Sequence, residues 1–496
     1  MYRREGIFMC ENKTLKVPFL IPPDAIGLPT KGAVVETIRY YAPGEPEISA
    51  DGSQKNDILL SAGYWEASGV IHSVDENASD ICFQAGFPAE WNGVLLQMGG
   101  GGIDGIIPPL RGPLPGANPK EPCPLELGYA VFGSDSGHQM GFPDFWDCSW
   151  ALNQESLENF AYAQLKKTAD AVRYLVRHFY GEAEQRLYFY GGSNGGRECL
   201  QCLQKYPEDY DGAICFYPAM YWVGKLLIDR RNECFAKVLG SEALITKEQR
   251  LKMRKALAQL CGDNDGIVTD LSRAEALRKE IEAAFGNFLN EKQMDLLRMM
   301  AAPLVLPYPL NGGYTRMAGY GVWEGAPVAD RYGTEILTLP SFAIAGTERV
   351  LSTMVMREPD FPMLEIDLVR DRQKLQKASE LLDASSPDLD RFTAHGGKLI
   401  LLQGMADGLV PIQGTREFVK RLQDRYGASL EQFLRYYELP GFGHTYGETF
   451  QAGLDAVSLL DTWVTEGQAP ENIVVTDCLE ETYGRTREIR PVRNIL

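Results

Sequence analysis

Residues 186–207, with the sequence RLYFYGGSNGGRECLQCLQKYP, decide the fold of this chain. They open with the short apolar run 187–190, which is typical of a buried strand. A turn with the motif G-x-S-x-G, centred on Ser193, follows, and a helical pattern then continues to the proline that ends it. A strand, a tight glycine turn and a helix in this order predict a nucleophile elbow that exposes Ser193. The alternative is a glycine-rich turn whose serine only caps the helix.

The same turn indicates where a developing negative charge would be held. In a nucleophile elbow, the backbone N–H of Asn194 points to the position at which an acyl oxyanion forms. A second donor usually comes from an early loop, and here the strand-like run 94–98 leads directly into the glycines 99–102. Glycines let the backbone approach a substrate closely. The sequence indicates Gly100 or Gly101 without choosing between them, and the alternative is a flexible surface loop.

A nucleophilic serine needs a base and an acid that orients the base. The five histidines of the chain are His72, His138, His178, His395 and His444. Of these, His444 lies on a glycine-flanked loop after the strand-like run 433–439, and Asp407 lies in the loop that follows the strand-like run 398–403. The order Ser193, Asp407, His444 is that of α/β hydrolases. The alternative for Asp407 is a solvated loop carboxylate.

Several segments resemble the tannase and feruloyl esterase family of serine esterases. They are WNGVLLQMGGGGIDG at 91–105, SDSGHQ at 134–139, YGGSNGGRECLQCLQKYPEDYDGAICFYPAMYW at 190–222, GMADGLVPIQGT at 404–415 and PGFGH at 440–444. The resemblance implies an α/β hydrolase with a doubly wound, mostly parallel sheet and a large inserted lid. It also implies a small-molecule substrate, an ester of an aromatic acid such as a feruloyl or galloyl ester.

The chain departs from the family at one point. The resemblance implies a cysteine just before the nucleophile and another just after the base, joined as a disulfide, but this chain has Gly192 and Thr445 there. Several of the ten cysteines lie in apolar runs, which buried thiols explain better than a disulfide framework. Cys199 and Cys202 form a C-x-x-C motif within a helical pattern, and the absence of a second such pair argues against zinc.

The interval between the strand-like runs 211–216 and 398–403 is much longer than the ~30 residues of a βαβ unit. We therefore expect an inserted domain. The predicted division is a first part of the hydrolase core at 1–224, a lid domain at 225–392 and a second part of the core at 393–496.

The predicted lid contains two signals for the start of a helix. Thr246 with Gln249, and Asn290 with Gln293, have the spacing of capping boxes. An aromatic stretch at 308–332 follows. We expect it either to stack on an aromatic acid or alcohol of the substrate or to form part of the core of the lid.

A short acidic loop lies between the two capping boxes. Asp263 and Asp265 alternate along it, a turning glycine follows, and Ile267 offers a backbone carbonyl, which together suit a hard cation. The resemblance implies a calcium loop in this part of the lid. The sequence therefore predicts structural calcium at Asp263, Asp265 and Ile267, with a plain Asx turn as the alternative.

Composition excludes some functions. A net charge of −18 argues against nucleic acid or an anionic membrane as a partner. No signal-peptide pattern or membrane span is present in the sequence, which predicts a cytoplasmic protein, or a secreted one if a leader has been removed. The chemistry needs no cofactor. The alternatives to an ester hydrolase are a peptidase or acyltransferase on the same fold and a non-catalytic binding protein, and the sequence does not indicate an oligomeric state.

Overall fold

The computed structural model describes residues 7–10, 13–48, 54–55, 58–140, 146–326, 336–337 and 341–495. The strands of the described chain, in order, are β1 (Ile7–Cys10), β2 (Lys13–Lys16), β3 (Phe19–Ile21), β4 (Ala33–Tyr41), β5 (Tyr64–Ile71), β6 (Ile81–Pro88), β7 (Val94–Met98), β8 (Ala130–Ser134), β9 (Arg186–Gly192), β10 (Gly212–Phe216), β11 (Ile245–Thr246), β12 (Leu304–Val305), β13 (Arg316–Met317), β14 (Ile336–Leu337), β15 (Lys398–Gly404), β16 (Leu434–Leu439), β17 (Ala452–Gly453), β18 (Ile473–Asp477) and β19 (Thr486–Ile489).

The α-helices of the described chain are α1 (Gln154–Glu158), α2 (Gln164–Phe179), α3 (Asn194–Lys205), α4 (Trp222–Leu239), α5 (Lys247–Cys261), α6 (Leu271–Ala276), α7 (Arg278–Gly286), α8 (Glu291–Ala301), α9 (Ser341–Val350), α10 (Arg372–Leu382), α11 (Asp390–His395), α12 (Ile412–Tyr426) and α13 (Ala456–Glu466). In this described part, no helix is both long and apolar enough to cross a lipid bilayer.

The chain divides into two compact units. The first consists of Met1–Ile214, Leu389–Lys398 and Ala456–Gln468, and the second of Cys215–Asp388, Leu399–Asp455 and Ala469–Leu496. The strand β10 crosses the boundary between them. The predicted division into core and lid domains follows other boundaries and stays a prediction.

Seven strands of the first unit form a sheet. Its strands lie in the order β9-β7-β8-β6-β5-β4-β3. The strand β7 pairs in parallel with both β8 and β9, whereas β3, β4, β5, β6 and β8 form antiparallel pairs in succession. All five residues of β7 and of β8 are buried, as expected for strands that are covered on both faces. The elbow strand β9 therefore lies beside β7, the strand that leads into the glycine loop.

The helix before the elbow has the predicted apolar face. Leu165, Ala169, Val172, Val176 and Phe179 are all buried in α2. The helical segment does not begin as one regular helix, because a π-helical turn at Asn159–Ala163 separates α1 from α2. The helix ends where the following glycine, at a φ of 82°, closes the last turn.

The second unit contains the parallel pair β15 and β16, in the register Leu399 to Leu434. Every residue of β16 is buried, as are the last six residues of β15. The unit also contains an antiparallel sheet in the order β17-β18-β19. The two buried parallel strands are followed by the loops that carry Asp407 and His444.

Both predicted capping boxes are present in the second unit. The Thr246 hydroxyl accepts a hydrogen bond from the Gln249 N–H, and Asn290 accepts one from Gln293, with the reciprocal bonds also formed. The side-chain amides of Gln249 and Gln293 also bond to each other, at 3.0 and 3.2 Å. The two helix starts are therefore joined to each other as well as capped.

The aromatic stretch after α8 packs inward. Tyr314 donates a hydrogen bond to Asp383 at 2.8 Å, and Tyr320 donates one to Asp229. Tyr314, Tyr320 and Trp323 are all buried. Of the two expectations for this stretch, these contacts favour a role in the core. The last positions of the stretch lie outside the described residues.

Candidate active site

The predicted elbow has the geometry of a strand, a tight turn and a helix. Ser193 lies between β9 and α3 with a φ of 60° and a ψ of −120°, a strained conformation for a residue with a side chain. A Cβ on Gly191 would overlap the carbonyl oxygen of Gly195, and a Cβ on Gly195 would lie 2.6 Å from the carbonyl oxygen of Gly100. The two glycines of G-x-S-x-G are therefore required by the close approach of the backbone, while the role of Ser193 as a nucleophile stays a prediction.

The glycine loop after β7 distinguishes the two candidate oxyanion donors. The Gly100 N–H donates to Oε2 of Glu198 at 3.0 Å, and the Gly100 carbonyl accepts from the Gly195 N–H at 3.1 Å. Among the described residues, by contrast, the N–H of Gly101 has no acceptor, and a Cβ built on Gly101 meets nothing within 4 Å. Gly101 is therefore suited to bind an oxyanion, whereas Gly100 is already used to hold the loop.

Asp407 and His444 are in contact in the second unit. Nδ1 of His444 lies 3.0 Å from Oδ2 of Asp407. The Asp407 side chain is fully buried, and that of His444 is 10% exposed. A carboxylate only accepts hydrogen bonds, so in the neutral tautomer that fits this contact Nδ1 carries the proton and Nε2 the lone pair. This is the orientation that a general base of a serine triad requires.

The Asp407 carboxylate is held by further hydrogen bonds. Its Oδ1 accepts from the backbone N–H groups of Leu409 and Val410, both at 2.8 Å. Its Oδ2 accepts from Nε2 of Gln403 at 3.0 Å, and the hydroxyl of Thr415 fixes the Gln403 amide at 2.8 Å. The carboxylate is therefore buried with its hydrogen bonds satisfied.

One backbone hydrogen bond joins the loop of His444 to the loop of Asp407, and another lies within the loop of His444. The Ala406 N–H donates to the Phe442 carbonyl at 3.0 Å, and the Gly443 N–H donates to the Tyr446 carbonyl at 3.1 Å. The ring of Tyr217 also packs against the imidazole, with 4.6 Å between the ring centroids. These contacts restrict the positions that the imidazole can take.

Two residues that contact the candidate dyad of Asp407 and His444, Gln403 and Tyr217, are not among the predicted site residues. The available signal for Gln403 is a polar residue near the end of the otherwise apolar strand KLILLQG. Tyr217 has no such signal, because its contact with His444 arises only when two segments distant in the chain meet.

Each of the other four histidines contacts a residue outside the candidate site. His72 lies against Asp80, His138 stacks on Trp150, His178 contacts the Tyr174 carbonyl, and His395 lies near Asp211. Burial lowers the pKa of His138 to about 3, so its ring is neutral at pH 7. These surroundings support the choice of His444 as the base.

The nine cysteines whose side chains the structure describes are thiols. Six of them are buried, in agreement with the expectation of buried thiols. Thr445, which follows the candidate base, has a φ of 65°. A β-branched residue in this conformation is strained, so the surrounding loop must hold it in place.

A cavity in the second unit adjoins the loops of Asp407 and His444. Residues from those loops, Met405, Ala406, Gly443 and Tyr446, line one part of it. Apolar side chains from the segment between β10 and β15 line another part, and these are Met253, Leu257, Ile267, Val268 and Val322. Arg254 at its edge is paired with Glu448 at 2.8 Å. The cavity therefore offers an apolar surface beside the candidate base.

The acidic loop does not fit calcium. Asp263 and Asp265 each accept a hydrogen bond from the guanidinium of Arg487, through Oδ2 at 2.7 Å. The other Asp263 oxygen accepts backbone N–H groups of Asp265 and Ile267, and the Ile267 carbonyl accepts the Asp263 N–H at 2.9 Å. Calcium requires six to eight oxygen ligands. The predicted ligands are thus engaged in an Asx turn and an ion pair, and the positive charge in the loop comes from arginine.

We expect a chelator such as EDTA to leave the melting temperature of the purified protein unchanged, because Arg487 supplies the positive charge of this loop. Arg487→Ala should lower the free energy of unfolding by on the order of 1 kcal/mol, since the ion pairs are partly exposed. Arg490→Ala, at an exposed arginine nearby, is the matched control. A lower melting temperature in EDTA, with calcium found in the purified protein, would contradict this interpretation.

Comparisons with known proteins agree with the geometry. The family model for tannase and feruloyl esterase matches residues 66–492. An uncharacterized esterase of Agrobacterium fabrum is 30% identical over 495 residues, covering 95% of this chain and 87% of the relative. A probable feruloyl esterase of Arthroderma benhamiae is 27% identical over 417 residues, covering 78% and 74%. The crystal structure of feruloyl esterase B from Aspergillus oryzae superposes with a TM-score of 0.72 at 20% identity, covering 94% of this chain and 93% of that one.

The family match spans most of the chain, and the structural match covers nearly all of it. The α/β-hydrolase fold that the elbow predicts is therefore confirmed. The chain belongs to the tannase and feruloyl esterase family and is a carboxylic ester hydrolase.

Proposed function

We propose that the protein hydrolyses esters through an acyl-serine intermediate, with Ser193 as the nucleophile. His444 takes the proton of the serine hydroxyl as Oγ attacks the ester carbonyl. The Asp407 carboxylate stabilises the imidazolium that forms, as the acid of a serine triad does.

Each step balances. The new bond joins Oγ of Ser193 to the carbonyl carbon, and the bond from that carbon to the alcohol oxygen breaks while His444 returns the proton to the leaving alcohol. A water molecule then gives a proton to His444 and attacks the acyl group. The carboxylic acid leaves and the serine hydroxyl is restored.

The oxyanion of each tetrahedral intermediate is bound by the backbone N–H groups of Asn194 and Gly101. Asn194 is the first residue of α3, where the N–H groups have no partner within the helix and the helix dipole favours negative charge. A single such donor is worth about a hundredfold to a thousandfold in rate.

The contact between Asp407 and His444 is the observation that carries the proposal. A carboxylate that is buried and oriented by three other donors costs free energy to desolvate. A non-catalytic binding protein has no need for such a group beside a histidine. The elbow around Ser193 supports the same conclusion from the other unit.

We further propose that the substrate is an ester of an aromatic acid. The family match and the apolar cavity beside the Asp407 and His444 loops support this class. Much of the cavity lining comes from the segment 225–392, which is the proposed lid. A peptidase or an acyltransferase would use the same groups, so the substrate panel must include an amide and a competing alcohol acceptor.

We expect a fluorophosphonate probe to label Ser193 and no other residue, because only an activated serine reacts with it. Mass spectrometry of the labelled peptide measures this, with Ser193→Ala as the control. Feruloyl and galloyl esters should be hydrolysed faster than simple alkyl esters and peptides. A folded protein that takes up no probe and turns over no ester would remove the proposed mechanism.

Leu257→Trp should fill part of the cavity and lower kcat/KM for a feruloyl ester by at least about tenfold, while an acetyl ester is affected less. The side chain of Leu257 is buried in the cavity wall. Val238→Trp, at a position that is 83% exposed in α4, is the matched control. Equal effects of Leu257→Trp on both esters would show that the cavity does not receive the acyl group.

A further inference from the structure

Two buried carboxyl groups lie behind the glycine loop of the first unit. Asp104 is 2% exposed and Glu198 is completely buried. Asp104 follows the glycines at a φ of 55°, and Glu198 is in the second turn of α3. Oδ2 of Asp104 and Oε2 of Glu198 both lie against Gly100, the first 2.6 Å from a Cβ built on that glycine and the second 3.0 Å from its backbone nitrogen. Two ionised carboxylates this close repel each other, and one proton shared between them removes the repulsion.

The contacts of Glu198 favour it as the ionised partner. Its Oε2 accepts from the Gly100 N–H at 3.0 Å, and its Oε1 accepts from Nε2 of Gln164 at 3.0 Å. The Gln164 amide is oriented in turn by the Ser134 hydroxyl, which donates to its oxygen at 2.6 Å. Both oxygens of Glu198 therefore act as acceptors.

The contacts of Asp104 leave one of its oxygens available for the shared proton. Its Oδ1 accepts from the side-chain amide of Asn194. Its Oδ2 is buried, and no N–H or O–H donor from the described residues reaches it. An Oδ2 that carries a proton and donates to Glu198 accounts for this. Burial and the charge of Glu198 raise the pKa of Asp104 well above its ordinary value.

The pair is connected to both proposed oxyanion donors. Glu198 holds Gly100, and the next N–H along the chain is that of Gly101. Asp104 holds the Asn194 side chain, whose oxygen also accepts from Nε of Arg197 at 2.6 Å. The Arg197 guanidinium is fixed by the backbone carbonyls of the π-helical turn, at 2.9 and 3.0 Å. The network is buried and joins the loop to the helix.

We propose that Asp104 and Glu198 are positioning residues that hold the N–H groups of Gly101 and Asn194 in place through one shared proton. This inference rests on the proposed function, because it assigns a role within the proposed oxyanion hole. Loss of the shared proton leaves two negative charges in contact. The glycine loop then moves away from α3, and the rate falls as the pH rises.

Among the residues that the structure describes, few other charged groups face the pair. Arg197 favours the ionised form of both carboxyls. Burial, with a smaller effect of Glu198, raises the pKa of the Cys202 thiol, so that the thiol is neutral. His138, which packs beside Gly105, is also neutral at pH 7. We therefore expect the decline in rate at alkaline pH to come from the loss of the proton of the acid pair.

The same proton links stability to pH. The pKa of Asp104 is higher in the folded chain than in the unfolded chain, so the folded state binds more protons above the ordinary carboxyl pKa. The stabilisation by this proton is present at low pH. It is lost as the pH rises through the pKa of the folded state.

Isosteric amides test the assignment, because the two positions require opposite hydrogen-bonding groups. Asp104→Asn supplies a permanent N–H donor to Glu198 and keeps an acceptor for Asn194. Glu198→Gln places an NH₂ group against either the Gly100 N–H or the Gln164 amide, both of which are donors. We expect Glu198→Gln to lower kcat by about a hundredfold with little change in KM, as misplacement by ~1 Å does.

Asp104→Asn should keep kcat within about a few-fold of the wild-type value and should lack the alkaline decline, because its donor does not titrate. Glu208→Gln, at an exposed carboxylate paired with Arg391, is the matched control and should keep the wild-type profile. An infrared difference spectrum between wild type and Asp104→Asn should contain the band of a protonated carboxyl at a pH above the ordinary carboxyl range.

Three results would overturn the inference while leaving the proposed function intact. The first is a Glu198→Gln variant with wild-type kcat in an enzyme that labels at Ser193. The second is an alkaline decline in rate of the same size in wild type and Asp104→Asn, and the third is a difference spectrum without the band of a protonated carboxyl. A wild-type protein that neither labels nor hydrolyses esters would instead refute the proposed function.

Discussion

The buried carboxylate of Asp407 is the constraint on which the candidate site depends. A negative charge without access to water is stable only when donors surround it, and here two backbone N–H groups, the Gln403 amide and the His444 ring supply them. These donors come from β15, from the loop after it and from the loop after β16. The carboxylate therefore orders both loops and orients the ring of His444, the candidate base.

Buried carboxyl groups have a second use in the first unit. Behind the glycine loop, Asp104 and Glu198 lie close together. The proton that they share stabilises the pair, as the His444 ring stabilises the carboxylate of Asp407. Both arrangements bury acidic groups next to backbone that must be held in one position. In the acidic loop, Arg487 has the equivalent role, since its guanidinium neutralises Asp263 and Asp265. In each of these three places, groups of the chain itself stabilise the acidic side chains.

Local patterns in the sequence were sufficient to predict much of the fold and part of the site. The elbow around Ser193, the α2 helix and the two capping boxes depend on residues within one or two turns of each other, so spacing alone indicates them. The contact between Asp407 and His444 could also be predicted, because each residue follows a strand and the ends of neighbouring parallel strands meet. The choice of Gly101 over Gly100 could not, since it depends on Glu198, which lies 98 positions from Gly100. The ion pair of Asp263 with Arg487 spans 224 positions and left no local signal.

Replacement of Asp407 by asparagine is the most direct test of the central claim, that Asp407 orients His444 for catalysis at Ser193. An asparagine keeps the size of the side chain but favours the wrong tautomer of the imidazole. We predict that kcat for a feruloyl ester falls by about four orders of magnitude at pH 7. The circular dichroism spectrum should stay that of the wild type, and Asp424→Asn, at an exposed site on α12, should have wild-type kcat. A folded Asp407→Asn variant with kcat within tenfold of the wild-type value would contradict the account.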